Sequence, residues 1–119
     1  MIKFCSLYSG SSGNAIFLST DKVKILIDAG LSGKKIEKAL VSIDENPSDL
    51  SAILVTHEHS DHIKGIGVLS RRYDVPLYAN ELTWSSMGDS IGNISMENIK
   101  YFETGEIFEI CIKSYGFTG

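Results

Sequence analysis

Segments rich in β-formers alternate with segments whose apolar residues recur at helical spacing. Over 119 residues this alternation predicts an α/β fold. Three features carry it. Ile2–Tyr8, Ala15–Thr20 and Val23–Asp28 are β-rich runs separated by short turn segments. Ile36, Leu40 and Ile43 share one face of a helix. Ala52–Val55 is a short continuous apolar run, consistent with a strand buried on both faces.

Each element follows from local chemistry. The run Ser9-Gly10-Ser11-Ser12-Gly13-Asn14 is a turn after the first strand, because Gly and Asn accept positive φ. Asp21-Lys22 is a two-residue turn, so the first three strands form an antiparallel meander. Ala29-Gly30-Leu31 breaks the meander. Ser32 is the N-cap of a helix from about Gly33 to Glu45, ended by Asn46-Pro47, with Lys34, Lys35 and Lys38 toward solvent. Ile63–Tyr73 has helical spacing through Ile63, Ile66 and Leu69, and Gly65 and Gly67 suit close backbone packing. Val75–Ala79 is a strand and Glu81–Met87 a short helix. Ile99–Phe102 and Ile107–Lys113 are further strands.

Composition narrows the class. Hydrophobic residues are 43% and charged residues 22%, which excludes a disordered tail, a collagen-like repeat and a coiled coil. The length fits one compact domain or a piece of one. No apolar run approaches the roughly 20 residues of a membrane span, so no membrane association is expected. The N-terminus reads as a strand rather than a signal peptide, so the expected compartment is the cytoplasm. Cys5 and Cys111 are then expected to be free thiols. The net charge is −4, balanced near +1 over residues 1–72 and −5 over residues 73–119. A strongly basic nucleic-acid footprint is absent. Local clusters remain at Lys34, Lys35 and Lys38 and at Lys64, Arg71 and Arg72, with a solvated helix face as the plainer reading of each.

All three histidines, His57, His59 and His62, lie within six positions, with Asp61 between the last two. They directly follow the buried strand Ala52–Val55, where loops hold functional groups on a rigid scaffold. Imidazole and carboxylate suit zinc, and also iron or manganese. His57 and His59, two apart in an extended segment, can project to one side and chelate one ion. Asp61 and His62, at the turn into the next helix, can reach a second. A pair of ions about 3.5–4 Å apart can activate a water and clamp an in-line displacement. Surface or core histidines are the alternative, and four donors in seven residues after a strand argue against it.

Thr56-His57-Glu58-His59-Ser60-Asp61-His62 resembles the signature of the metallo-β-lactamase superfamily. Asp28, in Ile25-Leu26-Ile27-Asp28-Ala29-Gly30, matches a family Asp that ends an earlier strand and holds the metal loop. From its own surroundings Asp28 is equally a turn or cap residue. The resemblance implies His57, His59, Asp61 and His62 as metal ligands, Asp61 also as the catalytic residue, and Asp28 and Thr56 as supports. It implies two divalent ions, zinc foremost, with manganese or iron as alternatives. The Ser9–Asn14 loop, Leu26–Ser32 and His57–Gly65 together resemble the bacterial YycJ/WalJ group, over nearly all of residues 1–102. That resemblance implies a double-strand DNA exonuclease linked to mismatch repair and cell-wall regulation, with DNA as partner. Ser11, Ser12, Gly13 and Asn14 are then a candidate phosphate-binding loop, although such a loop by itself is a tight turn. RNA, thioester or lactam hydrolysis are the alternatives within the superfamily.

The superfamily fold is a four-layer αββα sandwich of two similar halves. The resemblance implies that residues 1–119 are the N-terminal part of one such domain. Family members take a His, a bridging Asp and another His from the second half. No histidine follows His62 here, and Asp89, Glu97, Glu103, Glu106 and Glu109 lie in no recognisable ligand motif. The chain is therefore expected to be inactive alone, and to pair with a second copy or a complementing C-terminal half through an apolar sheet face. A non-catalytic half-domain that self-associates is the reading from a different class.

Overall fold

Side-chain alternation along six strands decides the layers. The computed structural model describes residues 2–8, 14–55, 63–87 and 90–102, with the backbone alone at 63 and 64. The strands are β1 (Lys3–Tyr8), β2 (Ala15–Ser19), β3 (Lys24–Ile27), β4 (Ala52–Leu54), β5 (Leu77–Ala79) and β6 (Ile99–Tyr101). The helices are α1 (Gly33–Ser42), α2 (Ile63–Tyr73) and α3 (Glu81–Met87). The strands form one sheet in sequence order. β1, β2 and β3 are antiparallel, as the tight turn at Asp21-Lys22 requires. β3 through β6 run parallel, and each parallel step needs a crossover, which α1, α2 and α3 supply in turn.

Register sorts the side chains onto two faces. Cys5, Phe17, Leu26, Ile53, Leu77 and Ile99 line up across the sheet. Phe17, Leu26, Ile53 and Leu77 are fully buried in one cluster with Ile36 and Leu40 of α1, Ile66 and Leu69 of α2, and Trp84 and Met87 of α3. The helices therefore cover this face. The opposite face carries Phe4, Leu18, Ile25 and Ala52 in one row and Ser6, Ile16, Ile27, Leu54, Tyr78 and Lys100 in the next. It is largely apolar, and Phe4 is 65% exposed.

Among the described residues the expected elements are present; β5 begins at Leu77 rather than Val75, and the largest shift is at the end of α1. Its N-cap is Ser32, whose Oγ accepts from Lys35 N–H. The helix ends at Ser42, before the predicted Glu45. Asp44 adopts φ of 63°, and its N–H and that of Glu45 donate to the carbonyls of Val41 and Leu40. These paired bonds are a Schellman closure on a left-handed residue, and they end the helix ahead of Pro47. Asn46 instead caps a single 3-10 turn, Pro47–Asp49. Helix α2 spans its predicted residues and is closed by Asp74 at φ of 55°. The predicted strand Ile107–Lys113 lies outside the described residues, as does Cys111. Cys5 is a partly buried free thiol.

Two carboxylates brace the layers. Glu45, whose side chain is 9% exposed, accepts from Lys3 Nζ and Lys24 Nζ at 2.8 Å each, tying β1 and β3 to the end of α1. Glu37 of α1 accepts from the Arg72 guanidinium at 2.8 Å and from the Tyr73 hydroxyl, both of α2. The Lys24 and Lys3 ammonium groups hold Glu45 below its ordinary pKa, against the effect of burial. The Tyr73 hydroxyl, then the Arg72 guanidinium, do the same for Glu37. A carboxyl whose pKa is lower folded than unfolded stabilises fully above its unfolded value. That stabilisation is lost as pH falls through the folded value. The urea midpoint is therefore expected to hold from neutral pH down to about 5 and to fall once pH drops below 4.5, the ordinary glutamate value. Glu45→Gln should lower the neutral-pH midpoint and flatten part of the acid limb; an unchanged acid limb would contradict the brace.

Candidate metal centre

The carboxyl ends of β3, β4 and β5 stop at one edge of the sheet, where open α/β sheets bind ligands. Three backbone bonds join the chain there. Asp28 N–H donates to the Leu54 carbonyl at 2.7 Å, Val55 N–H to Tyr78 at 2.8 Å, and Gly30 N–H to Asn14 at 3.0 Å. The segment following β3, the end of the Ser/Gly turn and the end of β4 thus stand side by side. The three-histidine segment leaves from Val55 and rejoins the described chain at the start of α2. The described chain on either side of it is packed in the core, through Val55 before it and Ile66 and Leu69 of α2 after it.

Asp28 is partly buried, with φ of 61°. A left-handed backbone costs most residues about 1–2 kcal/mol, and Asp tolerates it better than most. Strain of this kind concentrates at functional sites. Of the sequence-predicted site residues, the structure brings Asp28 and Asn14 to this common edge. Thr56, His57, His59, Asp61 and His62 lie outside the described residues, as do Ser11, Ser12 and Gly13. Three imidazoles and a carboxylate within seven residues are a donor set whose chemistry fits zinc, manganese or iron. Among the described residues no group of three or more His, Cys, Asp or Glu could hold a metal. Of the later acidic residues, Glu97 is exposed in the turn before β6. Asp89, Glu103, Glu106 and Glu109 lie outside the described residues.

The arginines of the second basic cluster have structural partners. Arg71 donates to the carbonyls of Ile91 at 2.7 Å and Asn93 at 3.1 Å, and Arg72 to Glu37. Lys34, Lys35 and Lys38 are exposed on α1, as expected. One residue at the site edge was missed from sequence. Asn80 follows β5 and caps α3, its Oδ1 accepting from Thr83 N–H at 2.8 Å. The signal was there: an Asn immediately before a helix start is a preferred N-cap. An open depression lined by Thr20, Lys22, Asp49 and Ser51 lies at the opposite edge, by the amino ends of β3 and β4.

The Asp28 backbone is open to a direct test. Asp28→Ala and Asp28→Gly both remove the side chain, and only alanine keeps a Cβ at positive φ. Asp28→Gly is expected to be the more stable of the two by about 0.5–1 kcal/mol in urea unfolding. Alanine equal to or above glycine would contradict a constrained left-handed residue.

The geometry has counterparts among known proteins. The chain is 49% identical over 118 residues to Exodeoxyribonuclease YycJ of Bacillus anthracis, covering 97% of this chain and 45% of the relative. It is 51% identical over 119 residues to Exodeoxyribonuclease WalJ of Streptococcus pneumoniae serotype 2, covering 96% of this chain and 44% of the relative. The chain thus spans about half the length of the curated relatives it matches. The solved structure of Rm3 metallo-β-lactamase matches with a TM-score of 0.70 at 20% identity, over 90% of this chain and 45% of that one, a likeness of fold. The sequence profile of the metallo-β-lactamase superfamily matches residues 8–111, and the chain belongs to that superfamily.

Proposed function

We propose that this chain carries the metal loop of a metal-dependent hydrolase that cleaves phosphodiester bonds in DNA. The observation that supports it most is the placement of the flanking chain: Val55, which precedes the three-histidine segment, and Asp28 are both bonded at the carboxyl edge of the parallel strands, and α2, which follows it, packs into the core. The choice of DNA rests on the two relatives named exodeoxyribonucleases. His57 and His59 would hold one divalent ion, and Asp61 and His62 a second, with zinc foremost and manganese or iron as alternatives. Bound there, the ions would supply Lewis acidity toward a phosphoryl oxygen and toward an attacking water. Asp61 would orient that water and take its proton. Asp28 and Thr56 would hold the ligands in place, since groups behind a ligand fix its orientation. Ser11, Ser12, Gly13 and Asn14 would offer backbone N–H groups to a phosphate, with Asn14 tied to Gly30. Lys34, Lys35 and Lys38, exposed on α1, would attract the DNA backbone.

A second reading concerns partners. The apolar outer row Phe4, Leu18 and Ile25, with Ile16, Ile27, Leu54 and Tyr78 beside it, favours a covering layer. In the whole protein a complementing half would cover it; in this chain alone, a second copy. Light scattering of the 119-residue chain is expected to give a dimer mass that Phe4→Glu reduces to the monomer. A monomer at high concentration would sink self-association.

The activity test uses the zinc- or manganese-loaded chain, alone and mixed with the remaining portion of the pneumococcal relative as a separate polypeptide. Substrates are end-labelled duplex DNA, RNA, a thioester and a β-lactam. The mixture is expected to release nucleotides from DNA, with binding that weakens steeply as salt rises. Asp61→Ala should abolish release by at least about a hundredfold with an unchanged circular dichroism spectrum. Turnover of RNA, thioester or lactam without DNA cleavage would overturn the substrate. Full activity in Asp61→Ala would overturn the site.

A further inference from the structure

Helix α2 contains two glycines, Gly65 and Gly67, although glycine is a poor residue for a helix interior. Each sits where no side chain fits. A Cβ on Gly65 would lie 2.3 Å from the Leu31 carbonyl oxygen, 2.8 Å from Gly33 N and 3.0 Å from Ser32 C. A Cβ on Gly67 would lie 2.1 Å from the Ile91 carbonyl oxygen. In both cases the nearest obstacle is backbone, which cannot swing aside as a side-chain end can. The two notches face different neighbours. Gly67 meets Ile91, in the segment after α3 that Arg71 also holds. Gly65 meets Leu31–Gly33, the segment that follows Asp28 and Gly30 and enters α1.

This difference bears on the metal loop. The loop's upstream end is already referenced to Asp28, because Asp28 N–H binds the Leu54 carbonyl. Gly65 stands three residues after His62. We infer that Gly65 is a positioning residue for the metal loop: by letting the first turn of α2 rest on the backbone of Leu31–Gly33, it fixes the loop's downstream end against the same Asp28 segment. Gly67 makes an equally close contact that serves only the fold. The inference rests on the metal reading of His57, His59, Asp61 and His62 proposed above.

The pair of glycines supplies its own control. Metal-free parent, Gly65→Ala and Gly67→Ala chains are titrated with Co²⁺ and followed by d–d absorption, with thermal midpoints measured by circular dichroism. Both variants are expected to lower the metal-free midpoint. Gly65→Ala should weaken Co²⁺ binding by about tenfold or more and shift the absorption bands, as changes behind a ligand commonly do. Gly67→Ala should stay within about twofold of the parent, with the parent spectrum. Equal weakening in the two variants, or none in Gly65→Ala, overturns the inference. Should Gly65→Ala not fold, Gly33→Ala presses the same two segments apart more gently, through Val68 of α2: its Cβ would lie 3.2 Å from Val68 Cγ1, with the Gly65 carbonyl oxygen in ordinary contact at 3.5 Å. It is expected to weaken Co²⁺ binding by about threefold, and unchanged affinity would overturn the inference. A parent that binds no Co²⁺, or binds it equally after joint His57→Ala and His59→Ala substitution, fails the metal reading itself. That outcome is distinct from a parent that binds while its glycine variants behave alike.

Discussion

Parallel pairing of β3 with β4 and of β4 with β5 makes each strand end at the same edge, because every crossover must carry the chain back before the next strand begins. The registers Leu26 with Ile53 and Ile53 with Leu77 set how far each strand reaches. A shift of one residue would turn Ile53 from the helix-covered core to the outer face, so burial holds the register firmly. The bonds from Asp28 to Leu54 and from Val55 to Tyr78 extend this pairing past the ends of the regular ladders. The points at which the chain leaves β3 and β4, Asp28 and Val55, are thereby fixed relative to one another. The proposed site would owe its location to this strand pairing, and its chemistry to the residues that follow the strands.

Charged groups divide along the same line. Glu45 with Lys3 and Lys24, and Glu37 with Arg72 and Tyr73, join helices to strands or helix to helix. Exposed ion pairs contribute little; Glu45 is better sheltered and carries two cations at once. Arg71 satisfies two carbonyls in the irregular stretch before β6. These residues hold the layers together, while Lys34, Lys35 and Lys38 of α1 stay exposed. Trp84 extends the bracing to the far strand, donating through Nε1 to the Lys100 carbonyl at 2.7 Å.

Much of this was legible in the residues. The meander follows from β-formers broken by Asp21-Lys22, and α2 and α3 occupy their expected spans because apolar spacing and turn residues agree there. The end of α1 was misplaced because Pro47 is a loud signal and Asp44 a quiet one. A left-handed cap is usually glycine, and Asp fills the role here at φ of 63°. The parallel order of β3 to β6 was not written in any single segment, since it depends on how crossovers pack. The candidate donor set was plain in sequence because four donors, three His and one Asp, fall within seven residues. The proposed supports were not: Asp28 reads equally as a turn residue, and the Gly65 notch depends on Leu31, which is distant in sequence.

The most direct test of the metal loop is elemental mass spectrometry on the chain purified without chelator, beside the His57→Ala, His59→Ala double variant. At least one divalent ion per parent chain, lost in the double variant, is the expected result. A parent with well under one ion per chain, or a double variant that retains the parent's metal, would contradict a metal centre at this edge of the sheet.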